Sequence, residues 1–432
     1  MRTARLAGTA GALAAGILVL TGCGGATSTD TAVAAATDIN SCTPSDHTLD
    51  VTFGSQAENA MKVAVANLQA KYPGLTVDAE PLKTTSYDEL TNTVVADIAV
   101  GKRPDLIMSG LGQLRFWVEK YSPATIDTAG LADTYQSQFL SAGTVDGKVY
   151  LAPAQVSAPV LLVNQTMLDA ANAGKATDIR TFDDVVTAAA AVTGKTGNPS
   201  VSLPTQRLPD WLGQGFVQGA GGTFVNADGT AGFGDATGVD ALSLWTKLSE
   251  RGLEAQINET DAITAFTSQQ TALAFTATSL IASVNATVGD GFEWTAVDLP
   301  TANGGDGLLP AGGNGWIVLS DNGCRAAYAN ALVAELLGTE AVLAASGTDY
   351  SYIPVDKAAA EQLLATGGLR QPQQYAWTYD KELSPWGGFD GAMTSQINDV
   401  LRQMSQGLQS GAELEPTVKR AVTTIDSLAG QG

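Results

Sequence analysis

Apolar positions along the chain keep two rhythms, one of period two and one near 3.6. Residues 49–53 (LDVTF) alternate, as a half-buried strand does. Residues 55–71 place Ala57, Met61, Val65 and Leu68 at helical spacing, and Tyr72-Pro73-Gly74 stops the run. Residues 75–79 predict a second strand. Residues 86–100 predict a second helix, closed by Gly101 and Pro104, and residues 105–108 (DLIM) a short buried strand. A strand–helix–strand–helix–strand order implies a parallel sheet that binds ligands at the strands' carboxyl ends. Those ends are Gly54-Ser55-Gln56 and Ser109-Gly110-Leu111-Gly112.

The pattern continues less regularly. Asp146-Gly147 predicts a turn into a strand over residues 149–152, and residues 160–163 (VLLV) read as another buried strand. Thr181, with Asp184 three residues later, predicts a capped helix start. Residues 223–233 predict a hairpin around Asn226-Ala227-Asp228-Gly229, and residues 238–252 a helix. Residues 271–275, 294–299 and 316–319 read as strands, with helices dominating after Arg325.

The first residues are of another kind. Met1 to Arg5 is basic, and residues 6–20 form an uncharged run too short to span a membrane, which takes roughly 20 residues. This fits a secretory leader. Leu20-Thr21-Gly22-Cys23 resembles the lipobox of bacterial lipoproteins, which implies cleavage before Cys23 and lipid attachment to its thiol. The chain then divides into a leader (1–22), a flexible tether rich in Ala, Thr, Ser and Gly (23–45), and the fold. The expected place is the outer face of the cytoplasmic membrane, held by the lipid on Cys23. Cys42 and Cys324 remain, an even pair that outside the cell suggests a disulfide, with two free thiols as the alternative.

Composition narrows the chemistry. The chain has 432 residues, 44% apolar and 16% charged, with net charge −21. That length and composition fit a folded chain of two or three domains. The negative surface repels phosphates, so nucleic acid is not an expected partner. A single histidine, His47, leaves little room for zinc chemistry or a histidine-based triad. Gly194-Lys195-Thr196 lacks the glycine five residues earlier that a phosphate-binding loop needs; Ala189 stands there. Gly110-Leu111-Gly112 has Arg115 in place of the third glycine of a dinucleotide fingerprint. Asn226-Ala227-Asp228-Gly229 could open a calcium loop, but Thr237 stands where the closing Glu belongs. No cofactor, metal or catalytic residue is expected, although no motif singles out a carboxylate pair among 44 acids for glycoside hydrolysis.

Seven segments in order carry a resemblance: the lipobox; LDVTFGSQAENAMKVAVANLQAKYPGLTV; GKRPDLIMSG; VDGKVYLAPAQVSAPVLLVNQTML; TFDDVVTAAAAV; GAGGTFVNADGTAGFGDATGVDALSLWTKL; and GGNGWIVLS with YSYIPVDKAA. Together they resemble family 1 extracellular solute-binding proteins, the sugar receptors of ABC importers, from about residue 46 to the end. One departure is Val163-Asn164, where the family has Tyr-Asn. The resemblance implies an α/β, two-lobed periplasmic-binding-protein-like fold (type II) with crossing hinge strands. Lobe I would take residues 46–155 plus 304–348, and lobe II residues 156–303 plus 349–432. It further implies a monomer that is not an enzyme, that holds a small carbohydrate in its cleft and that delivers it to ABC permease subunits.

Cleft candidates are strand ends and hinge-side loops: Gln56, Glu58, Ser109, Gln113, Gln155, Ser157, Asn314, Trp316, Tyr350 and Tyr352. Trp211 and Trp386, beside Pro and Gly, are expected to stack on a sugar ring, whereas Trp245 lies on an apolar helical face and belongs to the core. The segment around Asn314 and the YIPV segment also resemble receptors for glycerol-3-phosphate or glycerophosphodiesters. PWGGFDG (385–391) carries no Arg to meet a phosphate. A secreted glycan hydrolase and an adhesion or scaffold protein are further alternatives.

Overall fold

In the computed structural model two sheets with separate hydrophobic cores share the chain, which is described at residues 32–206, 208–367, 369–389 and 393–430. The leader and Cys23 lie outside the described residues.

The first strands are β1 (Thr48–Gly54), β2 (Thr76–Asp78), β3 (Pro81–Leu82) and β4 (Leu106–Gly110), and β1 runs parallel to the other three. The helices Glu58–Lys71 and Tyr87–Ala99 connect them, the second capped by the Ser86 hydroxyl on the Glu89 amide. A hairpin follows, β5 (Thr144–Val145) and β6 (Lys148–Val149), turning at the left-handed Asp146-Gly147. β7 (Ala152–Ser157) passes after one residue into β8 (Pro159–Asn164), and there the chain leaves the first sheet for the second. The second sheet adds β9 (Val201–Ser202), β10 (Leu273–Ala277) and β11 (Trp294–Asp298), in the order β11-β8-β10-β9. Apolar side chains cover both of its faces, so Val160, Leu161, Leu162 and Val163 are all buried. This explains their uninterrupted apolar run.

The chain returns through β12 (Leu309–Pro310) and β13 (Gly312–Val318), then β14 (Ile353–Pro354) and β15 (Leu383–Ser384). The first sheet has the order β14-β7-β13-β4-β1-β2, and β12 pairs with β15 as a separate ribbon. The parallel core of the first sheet is as expected, but β7, β13 and β14 make it mixed.

Several expectations are corrected. Residues 149–152 are not one strand: β6 ends at Val149 and β7 starts at Ala152. The helix expected over 238–252 breaks into Ala236–Ala241 and Leu244–Ser249. The hairpin over 223–233 reduces to a turn closed by one bridge, Val225 to Ala231. Residues 353–359, assigned to lobe II, pack with the first sheet, because β14 pairs with β7 and Val355 and Ala359 join the first core. The tether is pinned from residue 34 onward. Ala34 N donates to Ser320 O (2.9 Å), Thr37 N donates to Gly323 O (3.1 Å), and Cys42 forms a disulfide with Cys324 (Cα–Cα 5.7 Å). Tyr328 from the Gly323–Leu336 helix donates to Cys42 O (3.2 Å) and packs against His47. Among the described residues no single helix is long and apolar enough to cross a membrane.

Candidate functional site

A polar relay occupies the carboxyl ends of β1 and β4 beside β7 and β13. Asn314 lies opposite Gly110 on one side and Gln155 on the other. Gly313 between the strands has φ +99°, and a Cβ there would fall 1.8 Å from Gln155 O, so only glycine fits. The polarity of the relay follows from one atom. Gln155 Nε2 donates to the Gln56 carbonyl (3.1 Å), which can only accept. Gln155 therefore turns Oε1 to Asn314 Nδ2, which donates to it (2.9 Å) and to the Tyr87 hydroxyl (3.1 Å). Asn314 Oδ1 and Gln56 Oε1 are left buried with no partner. Both orphans are acceptors. The Tyr87 ring fills the space that a Cβ on Gly110 would take. Burial raises the phenols of Tyr87 and Tyr352, which lie together; Tyr350 stacks on Tyr352 at 5.8 Å.

The second sheet contributes the helix Pro209–Gly219. Its glycines are places of close packing: a Cβ on Gly215 would meet Leu299 at 2.9 Å, and one on Gly219 would meet Thr301 at 2.7 Å. Trp211, expected in a loop as a sugar platform, is in this helix and 1% exposed. Its indole N–H donates to Pro310 O (2.9 Å), and its ring fills the space beside Gly312. It is a structural residue joining the helix to the crossing strands. Trp386 is in a loop, as expected, and partly exposed. Its indole N–H donates to Asp210 Oδ2 (2.8 Å), and its ring lies on Gly112, where a Cβ would come within 2.7 Å. Gln214 grips the same loop from both ends of its amide, donating to Pro385 O and accepting from Gly387 N, each at 2.8 Å. Trp386 thus bridges the helix Pro209–Gly219 and the loop after β4. Asp210 is buried, and burial pushes its carboxyl up to about 6 against the opposing bonds from Trp386 and the helix-start amides; the charge on Asp88 adds to the rise.

The remaining candidates separate. Gln113 joins the rim, donating to Asp88 Oδ1 (2.7 Å) and accepting from the Thr91 hydroxyl (2.6 Å). Glu58 pairs with Lys62 on the outside of its helix. Ser109 is buried and bonds the Gly110 carbonyl; Ser157 is buried against Gly312. Trp316 is a core residue, 1% exposed and packed near Phe53. Trp245 is buried, as expected. The structure brings Gln56, Gln155, Asn314, Tyr350 and Tyr352 together around Tyr87, with Gln113 and Trp386 on the adjoining rim. Tyr87, Asp88, Asp210 and Gln214 were not picked out from the sequence. Tyr87 and Asp88 follow a helix cap and read as helix-start residues, whereas Asp210 lies in a stretch that reads as irregular.

Among the described residues no cluster of three His, Cys, Asp or Glu is placed to hold a metal ion. A groove of about 900 Å3 opens elsewhere on the second lobe, lined by Lys175, Phe292, Trp294 and Arg370 among others. It contains none of the relay. Several of its polar groups are already engaged, Arg370 with Asp290 and Gly289 O, and Thr295 with Gln371.

Comparison with known proteins gives the following. Residues 64–371 match the family model described as bacterial extracellular solute-binding protein. A curated binding protein of Brucella abortus is 25% identical over 191 residues, which is 43% of this chain and 45% of that protein, so the match spans less than half the relative's length. The cyclic alpha-maltosyl-1,6-maltose binding protein of Arthrobacter globiformis superimposes with a TM-score of 0.74 at 18% identity, covering 89% of this chain and 100% of that one. The sugar-binding protein MalE of Xanthomonas citri gives 0.74 at 16%, covering 89% and 98%. UgpB of Mycobacterium tuberculosis, solved with glycerophosphocholine, gives 0.70 at 16%, covering 88% and 97%. These structures share the two-lobed fold.

Proposed function

The chain belongs to the bacterial extracellular solute-binding protein family, and we propose that it captures a sugar or oligosaccharide between its lobes and hands it to an ABC permease. The observation that carries this reading is the relay of Gln56, Gln155, Asn314 and Tyr87. It is uncharged, fixed in polarity, and leaves acceptors unmet at the strand ends where such folds take ligands. Unmet buried acceptors call for a donor-rich ligand, and hydroxyls supply donors. Gln113, Tyr350, Tyr352 and Trp386 complete the proposed cleft, with Trp386 as its aromatic wall. The protein acts as a monomer and releases its ligand unchanged. Cys23 carries a lipid that holds it at the outer face of the cytoplasmic membrane.

The experiment is a thermal-shift screen over mono- and oligosaccharides, with the incubated sugars analysed afterwards. A native-state ligand raises Tm by mass action, and the expected result is a shift with no new products. Products would mark a hydrolase, and silence of every sugar would end the carbohydrate reading. The likeness to UgpB, solved with glycerophosphocholine, favours a second reading, a glycerol phosphate receptor, so those ligands belong in the screen. Retention of a Cys23→Ser variant in the membrane fraction would overturn the lipid anchor.

A further inference from the structure

Trp386 touches both lobes, and one buried carboxyl holds it. Its ring lies on Gly112, after β4 of the first lobe, where a Cβ would come within 2.7 Å. Its indole N–H donates to Asp210 Oδ2 (2.8 Å), on the Pro209–Gly219 helix of the second. Gln214 of that helix bolts the Trp386 loop at Pro385 O and Gly387 N. The loop therefore travels with the second lobe, and its contact on Gly112 is the one that breaks when the lobes part. Asp210 is 7% exposed in this arrangement. Burial raises its carboxyl from the ordinary 3.8 to about 6, and the charge on Asp88 of the first lobe adds to the rise. Among the described residues Asp88 is the charged side chain whose field reaches it. Residues 384–389, β12 and Gly112-Gln113 bring no titratable group. Arg115, beyond Gln113, pairs with Glu119; on the helices packed beside Pro209–Gly219, Asp399 pairs with Arg402 and Asp240 is exposed. Arg207 lies outside the described residues.

We propose that Asp210 is a proton-operated catch for Trp386: seating the indole against the first lobe takes up a proton at Asp210, and loss of that proton loosens the lobes. When the lobes part, Asp210 loses the cover of the first lobe and the field of Asp88, and its carboxyl returns toward its ordinary value. A group that binds its proton more tightly in the seated arrangement favours that arrangement in acid. The ratio of seated to parted molecules should therefore fall by up to about tenfold from pH 5 to pH 7.5, and change little above that. Asp210 is a positioning residue here, since it acts through Trp386. The functional consequence, firmer closure in mildly acidic surroundings, rests on the receptor reading above.

The test follows the tryptophan indole N–H signals of the full chain by NMR as pH is varied, with no ligand added. The signal missing from Trp386→Phe identifies Trp386. It is expected to titrate with a midpoint near 6. In Asp210→Asn, which keeps an acceptor and cannot ionise, it should stay at its acid position throughout. In Asp88→Asn the midpoint should fall. Small-angle X-ray scattering on the same samples should show a radius of gyration that rises from pH 5 to pH 7.5 in the unmodified chain and stays constant in Asp210→Asn. An indole that does not titrate, or that titrates equally in Asp210→Asn, overturns the catch. A midpoint unmoved in Asp88→Asn, or a radius of gyration that ignores pH, overturns its link to the lobes. If Asp210→Asn does not fold, the Asp88→Asn midpoint decides. Because no solute is involved, these failures leave the receptor reading standing, and silence in the sugar screen leaves the catch standing.

Discussion

The two lobes bury carboxylates in opposite ways. In the first, Asp105 is 1% exposed and fully met: Arg325 Nε donates at 2.8 Å, Ser320 at 2.5 Å and the Asp50 amide at 3.0 Å. Asp356, also buried, accepts from Thr134, Thr339 and the Ala359 amide. In the second, Glu254 has Gln409 Nε2 on Oε1 at 2.6 Å and the Leu203 backbone beside it, and burial outweighs both, pushing the group up to about 8. Asp210 has a tryptophan for a partner and is raised too. The buried carboxylates Asp105 and Asp356 of the first lobe are thus met, whereas Glu254 and Asp210 of the second carry a burial cost when ionised. Glu254 lies against the Thr394–Gln409 helix, away from the relay, whereas Asp210 lies beside Trp386.

The strongest way to break this comparison is at the join between the lobes. Trp211→Ala removes a buried indole and its bond to Pro310, and should cost about 4 kcal/mol of stability. Calorimetric unfolding checks this; a small loss of stability with a large loss of affinity would return Trp211 to the cleft. Arg325→Met strips the cation from Asp105 and should cost about 3 kcal/mol, read from calorimetric unfolding. An unchanged stability would contradict the account of a fully met Asp105.

Glu254→Gln reverses the sign. A carboxyl raised in the fold above its ordinary value of 4.5 contributes stability below that pH, and loses it as pH rises through about 8. The substitution should therefore gain about 2 kcal/mol near pH 9 and nothing near pH 4, as read from Tm across that range. Asp210→Asn should gain over a lower window, because its raised value is about 6. The smallest effect is Tyr87→Phe. It deletes an acceptor for Asn314 and should weaken ligand by about 1 kcal/mol with little change in Tm. Unchanged affinity would mean that the relay is structural only.

Much of the first lobe was legible because its elements obey local rules. The strand of β1, the helix after it and the cap at Ser86 follow period and capping chemistry that neighbours reinforce. The helix Pro209–Gly219 was not legible, because Gly213, Gly215 and Gly219 look like breakers. Gly215 and Gly219 are there because Leu299 and Thr301 come close, some 80 residues away in sequence and invisible to local pattern. The same limit hid Asp210 and Asp88. A carboxylate at a helix start is ordinary chemistry, and local pattern does not tell what lies across from it. Gln56, Gln155 and Asn314 could be named because strand ends are predictable. Which amide atom stays open depends on a three-residue chain of donors that only coordinates reveal.

The disulfide has a consequence for the covalent topology. Cys42 and Cys324 are 282 positions apart. The bond turns the chain between them into a ring that contains β1 through β13, and thus every strand of the second sheet. A protease cut anywhere in that ring opens it without releasing a fragment, so the nicked protein keeps its mass until a reductant is added. Outside the ring lie the first 41 residues and, as an arm, the last hundred or so. That arm supplies β14 to the first sheet and Trp386 to the rim. A single cut after Cys324 can thus release the part of the chain that carries Trp386 and its bridge between Gly112 and Asp210.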